Sequence, residues 1–334
     1  MNTELLSLLT REGVLLAVSV RYWRGCKKLR AEDLGLNADD VSDRLISLGH
    51  KRLLPRDATA ALALIEGRTH AFVEANTFPF LGGLAHFLPN GRLDDVTTRL
   101  HELETGFWAA KADFLRRYAE LRESAAAEWR ALAGKLVTHP EQLVATIESS
   151  FPLPQQMDRF FAFETHQFQV SAPEELQREL ITTAEQQSVI HARQRAANEA
   201  SAKIRRDVEV FVADCVASLR EQTATLCQEM LTSIQTSETG VHQKTLNRLV
   251  RFIDQFQQMN FANDTEMARQ LATVRTELLT RTAEEYRDSA TARQRLVAGL
   301  SRLGAEARSL AQQDASELVQ RFGSLGHRKF QLAA

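Results

Sequence analysis

Proline is missing from the last 161 residues, because all 7 prolines of the 334-residue chain lie at or before Pro173. A proline inside a helix costs about 3 kcal/mol or more, so this exclusion marks a stretch built from long helices. Cysteine is scarce as well. The 3 present, Cys26, Cys215 and Cys227, are too few and too scattered for a disulfide framework or a zinc cluster. Nowhere do roughly 18 apolar residues run together, so no bilayer-spanning segment and no membrane partner are expected. The N-terminus, MNTELLSLLTREGVLLAVSV, lacks the basic region and cleavage site of a signal peptide. A cytoplasmic location follows as the expectation. With a formal net charge of -2, the chain has no global electrostatic grip on nucleic acid.

Chemical motifs are missing too. The sequence contains no G-x-x-x-x-G-K-[ST] loop, no G-x-G-x-x-G after a strand, no H-E-x-x-H, no paired C-x-x-C and no G-x-S-x-G. Its 9 histidines are dispersed. His166, beside Glu164 in a candidate strand, reads as part of an ordinary polar pair. No catalytic, cofactor-binding or metal-binding residue is therefore assigned.

What is present is a pattern of helices. The fold class read from it is mainly α: an N-terminal helical domain over 1-170, carrying a small two-stranded antiparallel β element, then a long antiparallel coiled-coil hairpin over 171-326 and a tail over 327-334. The strands are placed at 13-23 and 159-170, where Val, Leu and aromatic residues concentrate, and are expected to pair. Between them, helices are expected at 38-48, 55-76, 91-134 and 139-149. The apolar segment 76-91, broken by Pro79, Gly82, Gly83, Pro89 and Gly91, reads as a loop folded onto the core.

In the second half, apolar residues return at three- and four-residue steps. They outline an arm over 173-239 and a second over 264-322, with a shorter helix at a distal tip over 241-262. Capping boxes are expected at Ser171 with Glu174 and at Asn263 with Glu266. At 1.5 Å per residue the arms would be roughly 100 and 90 Å long, so they must cover each other or a partner chain. A homo-oligomer through the coiled coil is compatible with this pattern.

The densest local signal is RYWRGCKKLR, where Arg21, Arg24, Lys27, Lys28 and Arg30 interleave with Tyr22 and Trp23. A second patch adds Lys51, Arg52 and Arg56. Two readings stand side by side. In one, the aromatic and basic residues stack bases and neutralise phosphates; in the other, a strand leads into a solvated turn and Trp23 packs in the core. Convergence of the two patches would make a small-anion or acidic-partner site of Arg21, Trp23, Arg24, Lys27, Lys28, Arg30, Lys51 and Arg52.

The segments WRGCKKLRAEDLG and SLGHKRLLP, with the helix FWAAKADFLRRY and the aromatic strand near Phe163, resemble a bacterial and phage family, domain-of-unknown-function family 3150. Its members are often encoded beside a MoxR-type AAA+ ATPase and a von Willebrand factor A protein. The resemblance implies a non-enzymatic adaptor or subunit of an ATP-driven assembly, with those two proteins as partners. It supplies no catalytic residue and no cofactor. The expected function is thus a structural or adaptor protein acting through its coiled-coil arm, and the alternative is a nucleic-acid-binding protein using the patches at 21-30 and 51-56.

Overall fold

The computed structural model describes residues 9-34, 36, 48-80, 82-137, 140-169, 184-237, 240-313 and 318-319. Contacts divide the chain into two compact units. One comprises Met1–Leu16, Asn76–Asp94 and Gln167–Ala334, and the other Ala17–Ala75 and Asp95–His166. We call them the bundle unit and the ribbon unit. The chain is mostly helical with a small antiparallel sheet, as the sequence leads one to expect. Its strands are β1 (Gly13–Arg21), β2 (Cys26–Lys28), β3 (His50–Arg52), β4 (Phe78–Phe80), β5 (Ala85–Pro89) and β6 (Ala162–Phe168). Sheet order is β4-β5-β1-β6, and β2 and β3 form a separate antiparallel ribbon. The expected neighbours β1 and β6 are thus adjacent, but two further strands, β4 and β5, extend their sheet.

In the bundle unit, the segment expected as an apolar loop is a hairpin: Phe78 lies opposite Phe87 and Phe80 opposite Ala85. The exposed Pro79 is tolerated because β4 is the edge strand, where a missing N–H breaks no ladder bond. β5 continues onto the start of β1, with Leu15 opposite Phe87. Phe80 and Phe87 meet the ring of Phe211 at centroid distances of 4.8 and 5.6 Å, and Phe87 meets Phe261 at 4.7 Å. Tilted and edge-on pairs of this kind add about 0.5–1.5 kcal/mol each beyond burial.

The helices of this unit are α4 (Ala184–Thr236), α5 (Gln243–Met259), α6 (Thr265–Leu278), α7 (Ala283–Asp288) and α8 (Ala290–Gln312). The described part of the first arm is α4, 53 residues and roughly 80 Å long. Cross-helix ion pairs Glu229–Arg248 and Asp254–Arg275 show α4, α5 and α6 running antiparallel in succession. α8 returns along α4, so that Gly304 approaches Cys227 and Arg220 reaches the carbonyl of Leu310. Two expectations are corrected here. Residues 241-262 are no distal tip, since α5 buries Leu246, Leu249, Ile253, Phe256 and Met259 alongside α4 and α6. Nor is the second arm one helix over 264-322. Thr282 and Glu285 form a reciprocal capping box that starts α7, and Ser289 accepts from the Ala292 amide to start α8.

The expected Asn263–Glu266 box is also displaced by one residue. Asn263 takes a left-handed φ of 58°, which asparagine tolerates, and Asp264 becomes the N-cap of α6, accepting from Met267 N at 3.2 Å. The same buried carboxylate accepts from Arg220 Nε at 2.7 Å, while Arg220 Nη1 donates to Leu310 O at 2.7 Å. One arginine thereby joins α4, the α5–α6 turn and the end of α8. The Ser171–Glu174 box, residues 173-183, residues 38-47 of the helix expected over 38-48, the glycine stop at 323-326 and the tail at 327-334 lie outside the described residues.

In the ribbon unit, α1 (Ala60–Asn76), α2 (Leu93–Leu136) and α3 (Pro140–Ser150) match the expected helices to within a few residues. A 3-10 turn over Arg56–Thr59 precedes α1. α2 presents Leu103, Phe107, Phe114 and Tyr118 at helical spacing to a core that includes Leu53, Ile147, Met157, Phe161 and Phe163.

Removing the carboxylate of Asp264 leaves a buried guanidinium unpaired and an uncapped helix, which costs about 3–5 kcal/mol. Chemical denaturation of Asp264→Ala should lose that much stability, and Asp264→Asn, which keeps the cap, should lose less. Equal stability of all three chains would contradict the role assigned to the pair.

Candidate functional site

The two basic patches separated by 20 residues of sequence come together in the β2–β3 ribbon. Cys26 lies opposite Arg52, Lys27 opposite Lys51 and Lys28 opposite His50. Leu53 N donates to Gly25 O at 2.6 Å and Leu29 N to Gly49 O at 3.0 Å, closing the ribbon at both ends. Gly25 and Gly49 take left-handed φ values of 60° and 73° at these corners, a conformation that costs glycine little.

The ribbon is anchored by an ion pair. Lys51 Nζ lies 2.6 Å from Asp33 Oδ2, with the two side chains 5% and 4% exposed. Arg30 N donates to the same carboxylate oxygen at 2.8 Å, and Asp33 sits in a 3-10 turn over Glu32–Leu34. The buried charge is thus matched by a cation and a backbone N–H, as burial in a low dielectric demands.

The sequence-derived site residues separate into three groups. Trp23 is buried, 5.7 Å edge-on from Tyr118 and near Phe114 and Phe151. Burial pushes the Tyr118 phenol up to about 12 against the opposing charge of Arg122, and its hydroxyl donates to Pro152 O at 2.8 Å. Trp23 is therefore part of a packed aromatic core, and Lys51 is committed to Asp33. Arg21 pairs with Glu164 at 3.1 Å and Arg24 with Glu66 at 2.6 Å. Arg24 also lies 5.2 Å from the centroid of Tyr22, whose phenol is raised by burial first and by Glu66 second. The third group is exposed: Lys27, Lys28, Arg30 and Arg52, whose side chains make no ion pair among the described residues. Arg56 is exposed as well.

Beside the ribbon is a feature that charge patterns do not reveal. An open groove of about 450 Å³ is lined by Leu53, Pro55, Trp129 and Leu132, with Arg52, Lys135 and Glu128 as its charged members. Trp129 Nε1 donates to Arg52 O at 2.9 Å, which ties the end of α2 to β3. Leu132 is 44% exposed and Leu136, one turn further on, 53%. The signal in the sequence was the spacing of Trp129, Leu132 and Leu136, which share one face of α2.

A second groove, of about 520 Å³, lies in the bundle unit between α4 and α5. Its charges are balanced, Glu221 and Glu229 against Arg248 and Arg251, and Glu229 and Arg248 pair with each other at 2.6 Å. Among the described residues no three His, Cys, Asp or Glu side chains form a metal-holding group, and no helix is long and apolar enough to cross a membrane.

If the Lys51–Asp33 pair anchors the ribbon, Asp33→Ala should cost about 3–5 kcal/mol because Lys51 is left buried and unpaired. Joint replacement, Asp33→Leu with Lys51→Met, should recover most of that loss. Denaturation curves check both, and a joint variant no more stable than Asp33→Ala would contradict the account.

Comparison with curated proteins and with solved structures gave no match. A family model described as "Protein of unknown function (DUF3150)" matches residues 10-305. That span extends beyond the segments that carry the resemblance in the sequence, from β1 through the ribbon and into α8. The chain therefore belongs to the DUF3150 family of proteins of unknown function.

Proposed function

We propose that the chain is a non-enzymatic interaction protein, a subunit or adaptor of an ATP-driven assembly. The observation that supports this reading most is the union of two distant basic segments in one anchored ribbon, with Lys27, Lys28, Arg30 and Arg52 exposed on it. A fixed display of cations recruits an acidic surface and sets its orientation, more than it contributes raw affinity. In this reading the ribbon unit docks a partner, and the antiparallel pairing of α4 with α8 serves as the coiled-coil arm that sets distance or receives mechanical work. The partners proposed are those implied by the family resemblance, a MoxR-type AAA+ ATPase and a von Willebrand factor A protein.

Nucleic acid binding draws on the same exposed cations as a second reading. Two placements weigh against it. Trp23 is packed in the core and the ring of Tyr22 is approached by Arg24, so the aromatic faces that would stack bases are occupied.

Co-purification from the native host with mass spectrometry should recover an ATPase or a von Willebrand factor A protein with the chain. Recovery of the chain alone would count against the adaptor reading. DNA and RNA titrations against salt should show no steep dependence. Affinity that falls steeply as salt rises, on a slope that joint Lys27→Ala and Lys28→Ala flattens, would instead establish phosphate contacts.

A further inference from the structure

The groove beside the ribbon combines two properties that a partner must match together. Its floor is apolar, formed by Leu53, Pro55, Trp129 and Leu132, and Leu132 is 44% exposed. Its charged lining contains Arg52 and Lys135 against one acid, Glu128. Arg52 stands opposite Cys26 in the ribbon, and alternation places the exposed Lys28 on the same face, so the positive surface continues from the groove onto β2. Arg52 and Lys135 make no ion pair among the described residues.

We infer that this groove docks an acidic amphipathic segment of a partner protein, whose apolar side chains cover Leu132 and Trp129 while its flanking carboxylates meet Arg52, Lys135 and Lys28. The inference rests on the reading of the chain as an interaction protein, and supplies the place and the chemistry of docking.

The chemistry selects this occupant. A polynucleotide would satisfy the cations, but its bases stack on aromatic faces, which leaves the aliphatic Leu132 and Pro55 without a matching surface. A purely apolar segment would cover the leucine and strand two cations beside it, at a desolvation cost. Apolar residues flanked by Asp or Glu satisfy both, because carboxylate to Lys or Arg bonds are charge-assisted and apolar anchors fill the centre of the contact. Helix-in-groove and strand-like peptide recognition both use such alternation.

The test is selection of a random-peptide display library on the full-length chain, followed by anisotropy titrations of the enriched peptides. Enriched sequences should carry two or more apolar residues flanked by Asp or Glu. Leu132→Asp and Lys135→Glu should each weaken their binding by at least about tenfold, and rising salt should weaken it further. Val210→Asp, at an exposed apolar position of α4 in the bundle unit, should leave binding unchanged. Both groove residues are at the surface, and melting curves matching the wild type show that each variant is folded. No enrichment, enrichment of basic or uncharged sequences, or equal binding to Leu132→Asp would overturn the inference. So would a single-stranded or duplex oligonucleotide that displaces the peptides and is itself weakened by Lys135→Glu, which assigns the surface to nucleic acid. Native co-purification decides the broader reading separately: a partner still recovered with Leu132→Asp defeats the groove and leaves the adaptor role standing.

Discussion

Lys51 and Asp33 form an ion pair almost fully removed from water, and the geometry of the basic ribbon depends on it. Two three-residue strands joined by a long connection have little intrinsic stability. Here their register is held by a carboxylate that binds Lys51 Nζ and Arg30 N together, and by the burial of Leu53 directly after β3. One lysine of the basic patches is consumed inside so that the others are displayed outside at fixed positions. A buried pair contributes little net stability compared with apolar packing, but losing one partner is costly. It therefore specifies an arrangement more than it strengthens one.

The bundle unit uses the same device. Arg220 and Asp264, 6% and 2% exposed, connect α4, the turn before α6 and the last carbonyls of α8. Around that pair the packing is apolar and aromatic, from Phe80 and Phe211 at the sheet to Leu296, Leu300 and Leu303 in α8. Among the described residues, each unit thus has an apolar core that supplies the driving force and one buried charge pair that fixes how its elements meet. The exposed cations and the exposed leucines of the ribbon unit lie outside this scheme, and contribute nothing visible to folding. They are the features on which the proposed docking rests.

Much of this was legible in the sequence, and the failures have physical reasons. The helices α1, α2 and α3 follow from apolar spacing, with Pro140 opening α3 where a missing N–H does no harm. The hairpin β4–β5 reads as a loop because Pro79, Gly82 and Gly83 are loop formers, and only the edge position of β4 reconciles the proline with a strand. The ribbon β2–β3 carries no local signal, since its strands are short and its partners distant. Leu279 continues the apolar run of α6 past its last residue, Leu278, so the break before Thr282 is invisible to periodicity. Composition alone could not tell whether Trp23 faces a base or a phenylalanine. That choice is made by tertiary packing against Phe114, Tyr118 and Phe151.

The central claim is that the buried Lys51–Asp33 pair holds the ribbon in the register that presents Lys27, Lys28 and Arg52. Amide hydrogen exchange of Leu29 and Leu53, whose N–H groups bond to Gly49 O and Gly25 O, reports on that register directly. In the wild-type chain both amides should be protected. In Asp33→Asn their exchange should rise by about a hundredfold, as loss of one charge from a buried pair implies, while amides in α8 keep their wild-type rates. Unchanged exchange at Leu29 and Leu53 in Asp33→Asn would contradict the account.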